Sequence, residues 1–353
     1  MGRFAALLFA LCLPSLCGAA STPIPSHAVV FIYHRFGDDR YPSTDTTTDQ
    51  FKAQLGWLAD NHYQVWPLPK VVQTLQDGKD IPDHVVAITV DDAFQSFYEN
   101  AYPLLRSHDW PFTLFVSTDG VDARQADFMT WDELREVTAH GGTLANHTAD
   151  HGHLPFRLKG ESDLHWADRI RADIAKGQSR LEAEIGKGTN TDPKLFAYPY
   201  GEFTDELVKL VDGLGYVAFG QQAGVLSEPL DPRALPRFPI NEHYADVASF
   251  ALKAAALPMP FKSITPWDPQ IKAENPPRLD LELEAGEVPG SAMHCYENGP
   301  ELELQWQDDA KTKFTIQASK AMQAGRDRYN CTAYVHGRYH WYSHMWLLAP
   351  SSE

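Results

Sequence analysis

Two adjacent carboxylates and two closely spaced imidazoles are the groups of this sequence best suited to metal chemistry. Asp91 and Asp92 follow an apolar, β-branched run, and His147 and His151 stand four positions apart. Residues four apart lie on one face of a helical turn, so both imidazoles reach the same ion. Adjacent carboxylates repel each other, which costs free energy unless a cation or a functional arrangement compensates for it. The pattern predicts a metal held by both histidines and one carboxylate, with the other carboxylate free as a base.

Each part of this pattern also has a structural interpretation. Paired aspartates at a strand end serve as helix N-caps, and two histidines four apart are by themselves weak evidence of a metal. The same ligand set holds Fe(II) in oxygenases, so the ligands do not fix the ion. Zinc is the expected ion, with cobalt, nickel and iron as alternatives. We interpret the nearby His153 as a loop residue, with a ligand role as the lesser alternative.

Strand-like runs alternate with amphipathic helical patterns from residue 29 onward. The runs are 29–36, 64–68, 85–92, 111–118, 142–148, 194–200 and 216–222, and the helical patterns include 49–61, 96–109, 130–141 and 164–186. This alternation predicts a parallel sheet, and seven or eight such units suffice to close a barrel. We therefore expect an α/β fold with an irregular (β/α) barrel. Its reactive side chains should follow the C-terminal ends of strands.

A second domain is predicted after the barrel. Residues 257–278 are proline-rich and lack helical periodicity, which is typical of a linker between a catalytic domain (21–256) and an accessory domain (279–353). The tail alternates apolar and polar residues, which predicts a small β-sandwich. We expect a disulfide between Cys295 and Cys331. The many aromatic residues of the tail fit core packing better than a platform that stacks sugars.

The first twenty residues are typical of a signal peptide. They carry one arginine, an apolar run from Phe4 to Leu13 and small residues at the end. The run is too short for a transmembrane anchor, and Pro14 and Leu16 fit poorly with a lipoprotein cysteine at Cys17. We expect an exported protein, periplasmic in bacteria or secreted. The formal net charge of −17 argues against binding nucleic acid or anionic lipid.

Three segments in order, TVDDAF, NHTADH and AYPYGE, resemble the motifs of the polysaccharide deacetylases of carbohydrate esterase family 4, the NodB homology domain. The resemblance spans roughly residues 29–245. It implies metal-dependent hydrolysis of N-acetyl groups on a polysaccharide that contains N-acetylglucosamine. Carried over by position, it implies Asp91 as base, Asp92, His147 and His151 as metal ligands, the Tyr200 backbone N–H in the oxyanion hole and Thr148 as a brace of the histidine loop.

The sequence departs from the family pattern in its acid and arginine positions. Ala197 stands where the third motif usually begins with arginine, and Arg237 is expected to supply that charge. The late Leu-x-His motif, whose histidine is the general acid, is missing. His34 after the first strand resembles the permuted arrangement of exported poly-N-acetylglucosamine deacetylases and is the candidate acid. His243 is the alternative, and a structural role is another interpretation of His34.

Three other functions compete with N-deacetylation. An O-acetyl esterase acting on xylan or another glycan needs the same machinery. A non-catalytic glycan-binding protein has no need of a base such as Asp91, which disfavours it. A serine hydrolase is disfavoured because no G-x-S-x-G segment occurs. No G-x-G-x-x-G follows the first strand, so nothing indicates a dinucleotide.

Overall fold

The computed structural model describes residues 25–350, so the predicted signal peptide lies outside the described residues. The strands of the first domain are β1 (His27–Tyr33), β2 (Arg35–Phe36), β3 (Asp45–Thr46), β4 (Gln64–Val65), β5 (Val85–Asp91), β6 (Phe112–Val116), β7 (Gly142–Asn146), β8 (Leu195–Ala197), β9 (Val217–Phe219), β10 (Leu226–Ser227) and β11 (Phe238–Pro239). The helices are α1 (Thr48–Asp60), α2 (Leu68–Gln76), α3 (Tyr102–Ser107), α4 (Thr118–Asp122), α5 (Trp131–Ala139), α6 (Asp163–Glu184), α7 (Asp205–Gly213) and α8 (Val247–Ala254).

The first domain is built on a curled, mostly parallel sheet in the order β10-β1-β5-β6-β7-β8-β9. Strands β11 and β4 extend it as parallel partners of β1 and β5. Alternate residues of β5 enter different apolar clusters: Val86 and Ile88 one of them, Val85 and Ala87 the other. Because both faces of the sheet are covered, its strands are continuous apolar runs, which is the pattern that the sequence showed. The expected irregular α/β barrel is confirmed.

Polar caps fix where the helices begin. Thr47 before α1 and Thr130 before α5 each form a capping box with the residue three positions on. The Ser162 hydroxyl accepts a hydrogen bond from the His165 N–H at the start of α6. Such caps satisfy backbone N–H groups that have no partner inside the helix, each contributing about 1 kcal/mol. In the part of the chain that is described, no helix is both long enough and apolar enough to span a membrane.

The C-terminal region is a β-sandwich. Its strands are β12 (Leu257–Pro258), β13 (Phe261–Thr265), β14 (Arg278–Leu283), β15 (Met293–Glu297), β16 (Glu301–Leu302), β17 (Gln305–Trp306), β18 (Lys313–Gln317), β19 (Gly325–Val335) and β20 (Arg338–Leu348). One sheet has the order β12-β20-β19-β15-β16 and the other β13-β14-β18-β17. Both contribute to one apolar core, in which Trp346 and Tyr329 are buried. These two aromatic side chains pack as the sequence predicted.

Strands β12 and β13 lie within residues 257–278, the stretch predicted as a linker, so part of this stretch belongs to the sandwich. Strand β12 pairs with β20, and β13 pairs with β14. Both strands lie at sheet edges. Edge strands tolerate proline because one side of the strand donates no hydrogen bonds to a neighbour. A high proline content was therefore a poor guide to a free linker here.

The predicted disulfide is present. Cys295 and Cys331 face each other as register partners on the neighbouring strands β15 and β19, so the bridge lies within one sheet. Replacing both cysteines by serine is expected to destabilise the sandwich by about 3–4 kcal/mol, because a chain segment of 36 residues regains entropy when unfolded. Urea unfolding followed by tryptophan fluorescence measures this difference. An unchanged unfolding midpoint in the double variant contradicts the prediction.

Candidate metal centre and active site

The polar groups singled out in the sequence meet at one edge of the parallel sheet. Asp91 ends β5, His147 follows β7, and His34 follows β1. Because β1 and β7 flank the β5–β6 pair in the same sheet, the C-terminal ends of these strands lie side by side. Tyr200 stands three residues beyond the end of β8 on the same edge. The fold thus brings together residues that are more than one hundred positions apart.

The three predicted metal ligands converge on one point. The Asp92 Oδ1 atom lies 3.1 Å from His151 Nε2 and 3.3 Å from His147 Nε2. One ligand atom from each residue falls within a group in which all distances are below 4.8 Å. Asp92 Oδ1 and His147 Nε2 are buried, and neither has a hydrogen-bond partner within residues 25–350. Burying such groups without a partner costs about 1–3 kcal/mol each, so the donor set fits a divalent cation.

One hydrogen bond, made by the Nδ1 atom, sets the orientation of the His147 ring. Its Nδ1 lies 2.8 Å from the carbonyl oxygen of Ala197, so the Nδ1–H donates there. Nε2 then keeps its lone pair, which is the tautomer that a metal ligand requires. Ala197 stands where the family pattern usually has arginine, and its backbone carbonyl serves as the orienting acceptor.

The loop that carries His151 is not the helical turn that the four-residue spacing suggested. Thr148 and His151 both have a positive φ, of 67° and 58°, so the chain turns back on itself. The His151 N–H donates to Thr148 Oγ1 at 2.9 Å, and the Thr148 N–H donates to Asn146 Oδ1 at 2.8 Å. Thr148 therefore forms hydrogen bonds through both its side chain and its backbone that stabilise the loop carrying His151.

Helix α6 packs closely behind this loop. A Cβ atom built on Gly177 meets the Thr148 carbonyl oxygen at 2.8 Å, so only glycine fits there. The Asn146 amide Nδ2 donates to the Ile174 carbonyl on the same helix at 2.9 Å. The position of the second histidine thus depends on the packing of a helix that is distant in sequence.

Asp91 forms a buried, two-bond ion pair with Arg237. Arg237 Nη1 donates to Asp91 Oδ1 at 2.7 Å and Nη2 donates to Oδ2 at 2.8 Å. Both side chains are completely buried. Burial by itself raises the pKa of Asp91, but the charges of Arg237 and His147 and the arginine hydrogen bonds outweigh it, so the pKa lies below its ordinary value. Asp91 is therefore held as a carboxylate 3.9 Å from His147 Nε2.

Replacing Arg237 by methionine is expected to lower the free energy of unfolding by about 3–5 kcal/mol, because the Asp91 charge is then buried without its partner. Chemical denaturation of the purified variant measures this loss. Arg124→Met, at an exposed arginine with no ion-pair partner in the described chain, is the control and should unfold like the wild type. Equal stability of the Arg237 variant and the control contradicts the assignment of a buried pair.

The two candidate acids differ in position. His34 is half-buried and lines the same cavity as Asp92 and His151. The His34 Nε2 atom lies 3.4 Å from the side-chain amide nitrogen, Nε2, of Gln221. Burial is the main cause of a lowered pKa at His34. His243 is exposed and does not line this cavity, so the geometry favours His34 of the two.

Tyr200 occupies a strained turn beside the histidines. Its φ of 58° is left-handed, which costs a residue with a side chain roughly 1–2 kcal/mol. Its ring stacks on His153, with centroids 4.1 Å apart, and lies edge-on to His151. His153 in turn has its Nδ1 2.8 Å from Glu202 Oε2. His153 thus contacts the Tyr200 turn from outside the group of three metal-ligand atoms.

A cavity of about 600 Å³ opens above the metal-ligand group, and the C-terminal sandwich forms part of its wall. The barrel contributes His34, Asp92, His151 and Tyr200 among others, and the sandwich contributes Asn298, Arg326, Asp327, Arg328 and Met345. These sandwich residues were not predicted from the sequence. Alternation along β19 places Arg326 and Arg328 on one face, but nothing local indicates that this face meets the barrel.

Comparison with known proteins gives the class to which this fold and site belong. Residues 78–219 match the family model described as polysaccharide deacetylase. These residues are similar to that family, and the resemblance inferred from the three motifs is confirmed. The β-sandwich lies outside the matched residues.

Curated relatives carry a more specific name. The poly-beta-1,6-N-acetyl-D-glucosamine N-deacetylase of Escherichia coli (strain K12) is 26% identical over 257 residues, which cover 62% of this chain and 37% of that protein. The protein of the same name from Staphylococcus aureus (strain MRSA252) is 28% identical over 218 residues, covering 60% of this chain and 73% of that protein. This chain thus spans little more than a third of the length of the E. coli relative.

Solved structures support the fold. IcaB from Ammonifex degensii superposes with a TM-score of 0.55 at 24% identity, covering 65% of this chain and 98% of that one. The Streptococcus pyogenes deacetylase PplD gives a TM-score of 0.56 at 21% identity and covers 65% of this chain and 99% of its own. At this level of identity the likeness concerns the fold alone.

Proposed function

We propose that this chain hydrolyses N-acetyl groups on a polysaccharide that contains N-acetylglucosamine. The observation that carries the proposal is the ionised, arginine-bound Asp91 next to the converging atoms of Asp92, His147 and His151. A glycan-binding protein has no use for a buried carboxylate kept ionised beside a cation site. The names of the curated relatives support the N-acetylglucosamine polymer as substrate.

The proposed cofactor is one divalent ion, with zinc the first choice from the mixed nitrogen and oxygen ligands. Asp92, His147 and His151 would hold such an ion, which would supply Lewis-acid polarisation of the acetyl carbonyl and a lowered pKa of the attacking water. Cobalt, nickel and iron remain alternatives, because the ligand set suits each of them.

The protein groups have distinct proposed roles around the acetamide. Asp91 accepts the proton of the attacking water, and Arg237 keeps this carboxylate ionised and fixed in orientation. The Tyr200 backbone N–H donates to the oxyanion that forms when water adds to the carbonyl carbon. His34 donates a proton to the departing amine, so that the products are acetate and a free amino sugar.

We also propose that the protein is exported and that residues 21–256 carry the activity, with 279–353 as an accessory domain. The disulfide between Cys295 and Cys331 supports an oxidising compartment such as the bacterial periplasm or the extracellular space.

Parallel measurement of amine and acetate tests the reaction. With oligomers of poly-β-1,6-N-acetylglucosamine, the proposal expects one free amine for each acetate released. Acetylated xylan oligomers are the comparison substrate. Release of acetate from xylan alone identifies an O-acetyl esterase, and binding of either glycan without release identifies a non-catalytic protein; both outcomes reject N-deacetylation.

A further inference from the structure

The C-terminal sandwich places two arginines in the cavity above the metal-ligand group. Arg326 and Arg328 stand two positions apart on β19, so their side chains point to the same face of the strand. Both line the cavity that Asp92 and His151 also line. The two guanidinium groups therefore share one cavity with the proposed metal ligands.

Most arginines of this acidic protein are paired, and these two are exceptions. Within residues 25–350, Arg124, Arg326 and Arg328 are the arginines without a carboxylate at ion-pair distance; the others all have one. Acidic residues outnumber basic ones by 47 to 30, so an arginine readily finds a partner. Two unpaired arginines side by side repel each other, which an anionic ligand relieves.

The hydrogen bonds of Arg326 leave donors free. Its Nη1 donates to the Tyr200 carbonyl and to Gln221 Oε1, both neutral acceptors. Nε and Nη2 donate to no group within the described chain. Each guanidinium is a planar group of N–H donors, which suits a carboxylate or another oxyanion, and Arg326 and Arg328 line the same cavity.

The acidic groups near these arginines are engaged elsewhere. Asp327 Oδ1 accepts hydrogen bonds from Asn298 Nδ2 at 2.8 Å and from the Arg328 backbone N–H at 2.7 Å. Glu202 Oε2 lies 2.8 Å from His153 Nδ1. Neither carboxylate is within ion-pair distance of Arg326 or Arg328, so the Glu202 charge acts on Arg326 only from beyond that distance.

We propose that Arg326 and Arg328 form a subsite for an anionic group carried by the polysaccharide, with the C-terminal sandwich as the second wall of the substrate cleft. This inference rests on the proposed deacetylase function and adds a preference within it. The chain then favours glycans that carry a carboxylate near the acetylated sugar over neutral ones.

Three tetrasaccharides test the subsite. The neutral probe is N,N′,N″,N‴-tetraacetylchitotetraose. The first anionic probe alternates N-acetylglucosamine with N-acetylmuramic acid and differs from it by lactyl carboxylates. The second is a hyaluronan tetrasaccharide, whose carboxylates belong to uronic acid. Comparison of the two anionic probes identifies which source of carboxylate the subsite accepts.

The variant Arg328→Gln is the most direct perturbation, because within the described residues it is Arg326 and not Arg328 that donates a hydrogen bond to Tyr200. It is expected to lower the ratio of kcat/KM for the preferred anionic probe to kcat/KM for the neutral probe by about tenfold, the loss of one charge-assisted interaction. Arg124→Gln removes an equally unpaired arginine outside the cavity and should leave the ratio at the wild-type value. An unchanged ratio for both anionic probes in Arg328→Gln overturns the subsite.

Binding without turnover separates this inference from the deacetylase proposal. Isothermal titration calorimetry of the same probes gives their dissociation constants for the wild type and both variants. If neither poly-β-1,6-N-acetylglucosamine oligomers nor any of the three probes is deacetylated, the proposed function fails, and the subsite is judged by affinity alone. Weaker binding of an anionic probe to Arg328→Gln supports the subsite, and equal binding by wild type and variant overturns it.

Discussion

The Asp91→Asn variant is expected to deacetylate N-acetylglucosamine oligomers roughly a thousandfold more slowly than the wild type, within the range that general-base catalysis contributes. An amide side chain does not accept the proton of the attacking water. Asp92, His147 and His151 remain in place, so the variant should still bind one equivalent of metal. Measurement of kcat together with metal content by mass spectrometry checks both parts of this expectation.

The ion pair with Arg237 requires a control for stability. Asp91→Asn leaves the Arg237 guanidinium buried without a countercharge, which is expected to destabilise the fold by about 3 kcal/mol. The double variant Asp91→Asn with Arg237→Gln removes both charges and should recover part of that stability while remaining inactive. Recovery of activity in the double variant, or loss of the metal from a folded Asp91→Asn protein, contradicts the role of Asp91 as base.

His151→Ala is expected to weaken metal affinity more than a hundredfold and to abolish measurable turnover. Removing a residue that only hydrogen-bonds to a metal ligand lowers metal affinity about 10–100-fold, so removing a ligand itself should lower the affinity further. His151 is the most exposed of the three proposed ligands, with a quarter of its side chain accessible, so its replacement disturbs the core least. Titration of the metal-free variant with zinc gives the affinity directly.

His153→Ala is the matched control for this substitution. His153 lies two positions further on and contacts Tyr200 and Glu202, but it does not belong to the group of converging ligand atoms. The control variant should bind zinc as tightly as the wild type. Equal zinc affinity of the wild type and His151→Ala shows that His151 is not a ligand.

The barrel could be predicted from the sequence because its strands are buried on both faces. Runs such as 85–92 and 111–118 correspond to β5 and β6 within one or two residues. The polar residues that interrupt these runs mark strand ends, and strand ends share one edge in a parallel sheet. This is why the sequence predicts Asp92, His147 and His151 as one group.

Local backbone conformation was harder to predict. The four-residue spacing of His147 and His151 suggested a helical turn, whereas the loop contains left-handed residues at Thr148 and His151. These conformations are stabilised by the Asn146 and Thr148 hydrogen bonds and by close packing against Gly177. The two hydrogen bonds lie within the loop, whereas Gly177 belongs to helix α6, and spacing alone reveals neither kind of contact.

The sequence pattern did not predict the contacts between the two domains. Within the barrel, Arg237 was predicted as the charge near the base because Ala197 stands where the family's third motif usually has arginine, and the structure places Arg237 in contact with Asp91. No missing motif residue indicated Arg326 or Arg328. Their strand shows the alternation of buried and exposed residues that any half-buried strand has. Their position depends on how the sandwich packs on the barrel, for example through the Arg338 bonds to Asp83.

Removal and return of the metal tests the central claim most directly. The purified protein is stripped with a chelator, dialysed and assayed for free amine released from poly-β-1,6-N-acetylglucosamine oligomers, before and after stepwise addition of zinc. The account predicts that the stripped protein is inactive and that activity returns in proportion to bound zinc, reaching its maximum at one equivalent. Full activity in the metal-free protein, or no amine release at any occupancy by zinc, cobalt, nickel or iron, contradicts it.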